Sequence, residues 1–246
     1  MPSDIPLMGT KAGLASKAGV ASTGIEKLDL MLDGGFRESS NILLIGPPGI
    51  EKAVFGLCFV SAGIREGISS LYVTIDMLPS ELERKAEKYG LDISSHTNKE
   101  LQFIDCYSWT LGKKETERSD TQVAGPSALN DLSIAMNGLL QKNKSSGLKT
   151  RIVVHSLSTL LLYNSPEPIY QFLQITGARL KSLDGTTIFY LDSGMHDDKV
   201  VATLRHLADI VVELTFKKDE WFLSIADSPL PGPVEFRIGA EGIELM

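Results

Sequence analysis

The sequence predicts an α/β domain, a doubly wound and mainly parallel sheet covered by helices. Three observations carry that prediction. From residue 41 onward, apolar stretches of strand length alternate with stretches of helix length. The strand stretches are apolar on successive residues, as strands buried on both faces are. The chain of 246 residues is 43% apolar against 22% charged, enough to close one large core and too apolar for a disordered chain.

Residues 1–20 are small and polar with scattered glycine, and read as a flexible lead-in. Residues 21–246 then form a single domain. The first core strand is 42–45, ending at Gly46, and others follow at 71–75, 101–104, 152–154 and 187–191. Helices are expected at 53–65, 80–89, 127–142 and 168–183. The second has Pro79 before it, a Ser80/Glu83 capping box and a closing Gly90. Residues 210–216 and 221–226 flank Lys217-Lys218-Asp219-Glu220 as a hairpin, with short strands at 234–238 and 243–245. This antiparallel tail is expected to extend the sheet edge. Two polar insertions, 113–119 and 141–149, read as solvated loops.

Charge and cysteine usage exclude some classes of function. The net charge is −7, so the chain has no global attraction for phosphate backbones, and nucleic acid is not an expected partner. Cys58 and Cys106 lie inside apolar runs and read as core thiols of a cytoplasmic protein. The first residues lack the basic and apolar regions of a secretory leader. The longest apolar run, 152–163, is interrupted by His155, Ser156, Ser158 and Thr159, so membrane insertion is not expected.

Chemistry concentrates where the first strand meets the first helix. Gly46, Pro47, Pro48, Gly49, Ile50, Glu51, Lys52 and Ala53 occupy the place of a phosphate loop, G-x-x-x-x-G-K followed by Ser or Thr. Gly46 and Lys52 match, but Glu51 replaces the second glycine and Ala53 the hydroxyl residue. A carboxylate about 4 Å from a phosphate charge costs roughly 4 kcal/mol at an effective dielectric near 20. Without a hydroxyl at position 53, one magnesium ligand is missing. Lys52 is either a phosphate ligand or a leftover paired with Glu51 or Asp76. Glu51 is either a solvated first-turn residue or an anion that fills the phosphate site.

The flanking residues resemble a known family. Ser22-Thr23-Gly24-Ile25-Glu26-Lys27-Leu28-Asp29, the pair Gly34-Gly35, and Asn41 to Gly46 look like the entry to KaiC-like domains of the RecA superfamily. Arg151-Ile152-Val153-Val154-His155-Ser156-Leu157-Ser158 resembles their Walker B strand, and His206 to Leu214 their final hairpin. The resemblance covers residues 20–246 and implies a RecA-like sheet, here expected in the order 3-2-4-1-5. It also locates the departures. The Walker B aspartate is His155, and Ile75-Asp76-Met77 stands where the family carries its catalytic glutamate. Asp76 is at best a shortened substitute.

The resemblance, with these departures, implies a pseudo-ATPase acting as a regulatory or interaction module. Its expected partners are proteins: itself or an active KaiC-like paralogue. No cofactor is expected to be held firmly. ATP would bind weakly, magnesium would be poorly held, and no metal site is expected. Asp76, His155 and Asp192 are the one trio with metal-ligand chemistry. Two alternatives stand beside this reading. One is a slow ATPase using Gly46, Gly49 and Lys52 for phosphate and Asp76 as the carboxylate. The other is a recombinase-type binder of single-stranded DNA, against which the acidic residues 193–199 argue.

Overall fold

The computed structural model describes residues 18–111 and 120–246. Most of the expected lead-in and the insertion at 113–119 lie outside the described residues. The chain begins with β1 (Val20–Ala21), α1 (Glu26–Met31) and β2 (Phe36–Arg37), and β1 and β2 form a small antiparallel pair. The first core unit is β3 (Asn41–Gly46), α2 (Ile50–Arg65) and β4 (Ser69–Thr74). It is followed by α3 (Pro79–Lys88), β5 (Leu101–Asp105) and β6 (Thr121–Gln122). Next come α4 (Leu129–Ser145), β7 (Thr150–His155), α5 (Leu157–Tyr163), α6 (Pro166–Ser182), β8 (Gly185–Asp192) and α7 (Asp198–Leu207). The tail is β9 (Ile210–Lys217), β10 (Glu220–Ile225), β11 (Val234–Gly239) and β12 (Gly242–Leu245).

The ten strands β3 to β12 form one sheet in the order β12-β11-β10-β9-β3-β8-β7-β4-β5-β6. From β9 to β6 every pairing is parallel, and from β9 to β12 every pairing is antiparallel. The tail therefore extends the sheet, as expected. Lys218 and Asp219 both take positive φ, 53° and 64°, in the two-residue turn of the β9–β10 hairpin.

The expected order 3-2-4-1-5 is corrected in one place. The fifth core strand, β8, lies between β3 and β7 and not outside β3. The reason is burial. Residues 185–191 of β8 are all buried, so both faces of the strand need cover and it takes a central slot. The outer edge of β3 goes to β9, which alternates buried and half-buried residues. This exchange moves His155 off the strands that flank β3, while Asp192 stays on one of them.

Helix boundaries shift for local reasons. Helix α2 starts at Ile50, three residues before the expected start. Helix α3 starts with Pro79 at its first position, and Glu81 Oε2 accepts from Leu78 N at 3.2 Å, so the expected Ser80/Glu83 box does not form. Glu83 instead accepts from Thr97 Oγ1 at 2.7 Å. Helix α4 runs through Ser145 into the expected loop 141–149, with Lys142 and Lys144 in its last turn, where cations suit the helix dipole. Helices α5 and α7 were not expected. The first is seven residues of nearly continuous apolar sequence, which carries no helical period.

Helices α2 and α3 cover one sheet face, packing Val54, Phe55, Phe59 and Leu82 on Leu44, Tyr72, Val153 and Tyr190. Helices α4 to α7 cover the other, packing Met136, Leu140, Phe172, Leu180 and Leu204 on Leu43, Val73, Val154 and Phe189. Gly56, inside α2, permits the closest approach: a Cβ there would lie 1.9 Å from Tyr190 Oη. Gly56→Ala should therefore destabilise the fold by about 1–3 kcal/mol through overpacking. That direction opposes the ~1 kcal/mol that alanine gains over glycine in a helix. Adding Tyr190→Phe should recover most of the loss in urea unfolding. No recovery would show that the hydroxyl is not the obstacle.

Candidate functional site

Parallel strands bring their carboxyl ends to one edge of the sheet, where ligands of open α/β folds bind. Here the ends of β3, β4, β7 and β8 deliver Gly46, the turn holding Asp76, His155 and Asp192. The loop after Gly46 feeds α2, so Lys52 and Ala53 sit in the helix's first turn.

Lys52 is buried and turned inward. Its Nζ donates to Gly46 O at 2.9 Å, to Pro47 O at 2.8 Å, and to Asp192 Oδ1 in a close ion pair. An ammonium has three donors, and all three are spent on the protein. Of the partners expected for Lys52, Asp76 is not the one taken. The Glu51 carboxylate lies outside the described side chains. Pro48, Gly49 and Ile50 complete the loop and the helix start, and Gly49 is the residue preceding the helix.

Asp192 is held on the backbone side as well. Its N–H donates to Ser158 Oγ at 2.7 Å, and Ser193 N donates to Gly46 O at 2.8 Å. Ser158 Oγ also lies 2.9 Å from His196 Nε2. Burial lowers the pKa of His196, with Asp192 and Asp197 opposing.

His155 ends β7 with its ring almost fully buried. The Tyr72 hydroxyl is 3.1 Å from its Nδ1, and its ring meets that of Tyr190 edge-on at 4.6 Å. Burial, then the charges of Lys52 and Lys85, push its pKa down to about 3, so it is a neutral imidazole. Burial raises the pKa of both tyrosines. The Tyr190 hydroxyl is close enough to Tyr72 to be influenced by it, yet among the described residues it makes no hydrogen bond of ordinary geometry.

Asp76 lies in the turn after β4. Its Oδ2 accepts from Thr159 Oγ1 at 3.3 Å and is 3.9 Å from His155 Nε2, while its Oδ1 has no hydrogen-bond partner among the described residues. Burial pushes its pKa up to about 6, against the Thr159 bond. Met77 packs against the apolar core, with Lys85 Nζ 3.8 Å from its sulfur. Among the described residues no group of three His, Cys, Asp or Glu side chains converges as a metal site, so Asp76, His155 and Asp192 do not form one.

Four residues at this edge were not singled out from the sequence: Ser158, His196, Tyr72 and Tyr190. Asp192 was read only as a metal-ligand candidate. The expected order already set β8 beside β3, but only the register, in which Gly46 and Asp192 are partners, places it opposite Lys52.

The arrangement does not fit a magnesium-bound triphosphate. Ala53 offers no side-chain oxygen, and the end of β7 carries a neutral imidazole bonded to Tyr72. The lysine donors are taken.

Comparisons with known proteins locate the chain. A family model described as "ATPase: KaiC" matches residues 21–224. A UPF0273 protein of Pyrococcus horikoshii is 30% identical over 146 residues, covering 58% of this chain and 56% of that protein. A UPF0273 protein of Methanopyrus kandleri is 31% identical over 93 residues, covering 37% of each. The circadian clock oscillator protein KaiC of Parathermosynechococcus lividus is 25% identical over 231 residues, covering 82% of this chain and 42% of that protein. The chain thus spans about a third to a little over half of the length of these relatives. The crystal structure of a KaiC-like protein of Pyrococcus horikoshii superposes with a TM-score of 0.70 at 19% identity, covering 92% of this chain and 97% of that one.

Proposed function

The chain belongs to the KaiC ATPase family, and from that premise we propose that its nucleotide site is catalytically silent and that the fold serves as a regulatory or interaction module. The observation that carries this reading is the inward Lys52, whose three donors bond Gly46 O, Pro47 O and Asp192. Phosphoryl transfer depends on cationic positioning and on a metal bridging the phosphates. Ala53 and His155 supply neither a hydroxyl nor a carboxylate for that metal. ATP would be held weakly and without magnesium. Function would then lie in surfaces, through self-association or pairing with an active family member, in the cytoplasm where the buried thiols of Cys58 and Cys106 stay reduced.

The test is phosphate release from ATP by the native chain and by Lys52→Ala. Both should run at the same background rate. A native rate that falls about tenfold or more on this substitution, roughly 1.4 kcal/mol of lost transition-state stabilisation, would return the chain to the working ATPases.

One observation favours a second reading, a slow ATPase. Asp76 is a partly exposed carboxyl with its pKa raised to about 6, close to what a general base near neutral pH needs. That reading requires residual turnover to disappear in Asp76→Asn.

A further inference from the structure

The sheet edge holds a fixed anion on the lysine that a phosphate would need. We propose that Asp192 is a built-in competitor for phosphate at Lys52, and that the ligand able to open the site is a chain of phosphates, free or carried on a nucleoside, that displaces its carboxylate without a divalent cation. This mode of regulation rests on the reading of the site as one that no longer turns ATP over.

Three features support it. Lys52 sits where the phosphate-loop lysine stands, yet its donors go to two carbonyls of its own loop and to Asp192. Asp192 is presented by the scaffold and not by a free loop: its register partner is Gly46, and Ser158 accepts its N–H from α5. Of the two partners, the Asp192 side chain is the more open, 17% exposed against 4% for Lys52, so it is the group an entering anion meets. Two anions on one ammonium repel, so phosphate enters only as Asp192 leaves. Ser158 also binds His196, which anchors the segment after Asp192. Ser158 therefore acts as a positioning residue for the carboxylate.

The experiment is calorimetric titration of the full chain, in the presence of EDTA, with inorganic tripolyphosphate and with ATP. Asp192→Asn should bind at least about tenfold tighter than the native chain. Ser158→Ala, which leaves the Lys52–Asp192 pair intact, should show a smaller gain, and Lys52→Ala should show none. A gain for both probes identifies the phosphate chain as the recognised chemistry. A gain for ATP alone means that the nucleoside helps to displace Asp192. Either result supports the competitor role. Unchanged affinity in both Asp192→Asn and Ser158→Ala, with native folding checked by circular dichroism, overturns it. If Asp192→Asn does not fold, Ser158→Ala alone decides. Brisk hydrolysis by the native chain would sink the silent-site reading, whereas unchanged affinity without turnover sinks only the role of Asp192.

Discussion

Arg151→Ala is expected to cost about 3–5 kcal/mol of folding stability, from the void of a fully buried side chain and from buried acceptors left without a donor. Arg151 is the largest of the fully buried side chains. Its Nη1 donates to Ser22 O at 2.8 Å and Phe59 O at 2.9 Å, and its Nη2 to Ser22 Oγ at 3.2 Å and Glu66 Oε2 at 2.6 Å. The guanidinium also lies 4.9 Å from the centre of the Phe59 ring. Gly63 makes room for it, since a Cβ there would be 2.5 Å from Arg151 Cδ. Truncation leaves a void and two carbonyls short of a donor, and it leaves the Ser22–Glu66 hydrogen bond as the direct tie of Ser22 to the end of α2. Arg151→Met fills the void without restoring the donors, so it should be the milder change. Urea unfolding of both variants measures this. A loss below about 1 kcal/mol in Arg151→Ala would show that the guanidinium is not structural.

The second large effect is acid sensitivity centred on His155. Its folded pKa of about 3 lies below the ordinary 6.5, so the unfolded chain binds a proton that the folded chain refuses. Stability should therefore fall as pH drops from 6.5 toward 3, by up to about 4 kcal/mol at 1.36 kcal/mol per unit. Asp76 acts in the opposite sense. Its folded pKa of about 6 is above its ordinary 3.8, so its contribution is present at acid pH and is lost as pH rises through 6. The two partly cancel between pH 4 and 6. Lys52, Lys85 and Asp192 are the other charges that act on this pair. His155→Gln should reverse the slope of stability against pH in that window, and Asp76→Asn should steepen the acid loss. Parallel curves for the native chain and His155→Gln would contradict the buried neutral imidazole.

The sheet was legible because its strands are apolar on both faces and its helices lie between them. The hairpin was legible from Lys217 to Glu220. What was not legible was on which side of β3 the strand β8 lies. Residues 187–191 read as a strand, but nothing local says which strands flank it, since parallel partners are chosen by crossovers distant in sequence. The departures at Glu51, Ala53, Met77 and His155 could be read directly against the loop and strand patterns that the family resemblance implies. The partner of Lys52 could not, because Asp192 is 140 residues away and joins it only through the β3–β8 register. The Tyr72–His155–Tyr190 cluster was hidden for a similar reason: three strands each contribute one ring to the face under α2.

Calorimetric titration of the native chain with ATP, once in EDTA and once with excess magnesium, is the most direct check on the silent site. The account predicts weak binding, with the same affinity in both buffers, because Ala53 and His155 stand where the site needs a hydroxyl and a carboxylate for the metal. Binding that tightens a hundredfold or more when magnesium is added, roughly 2.7 kcal/mol, would contradict it.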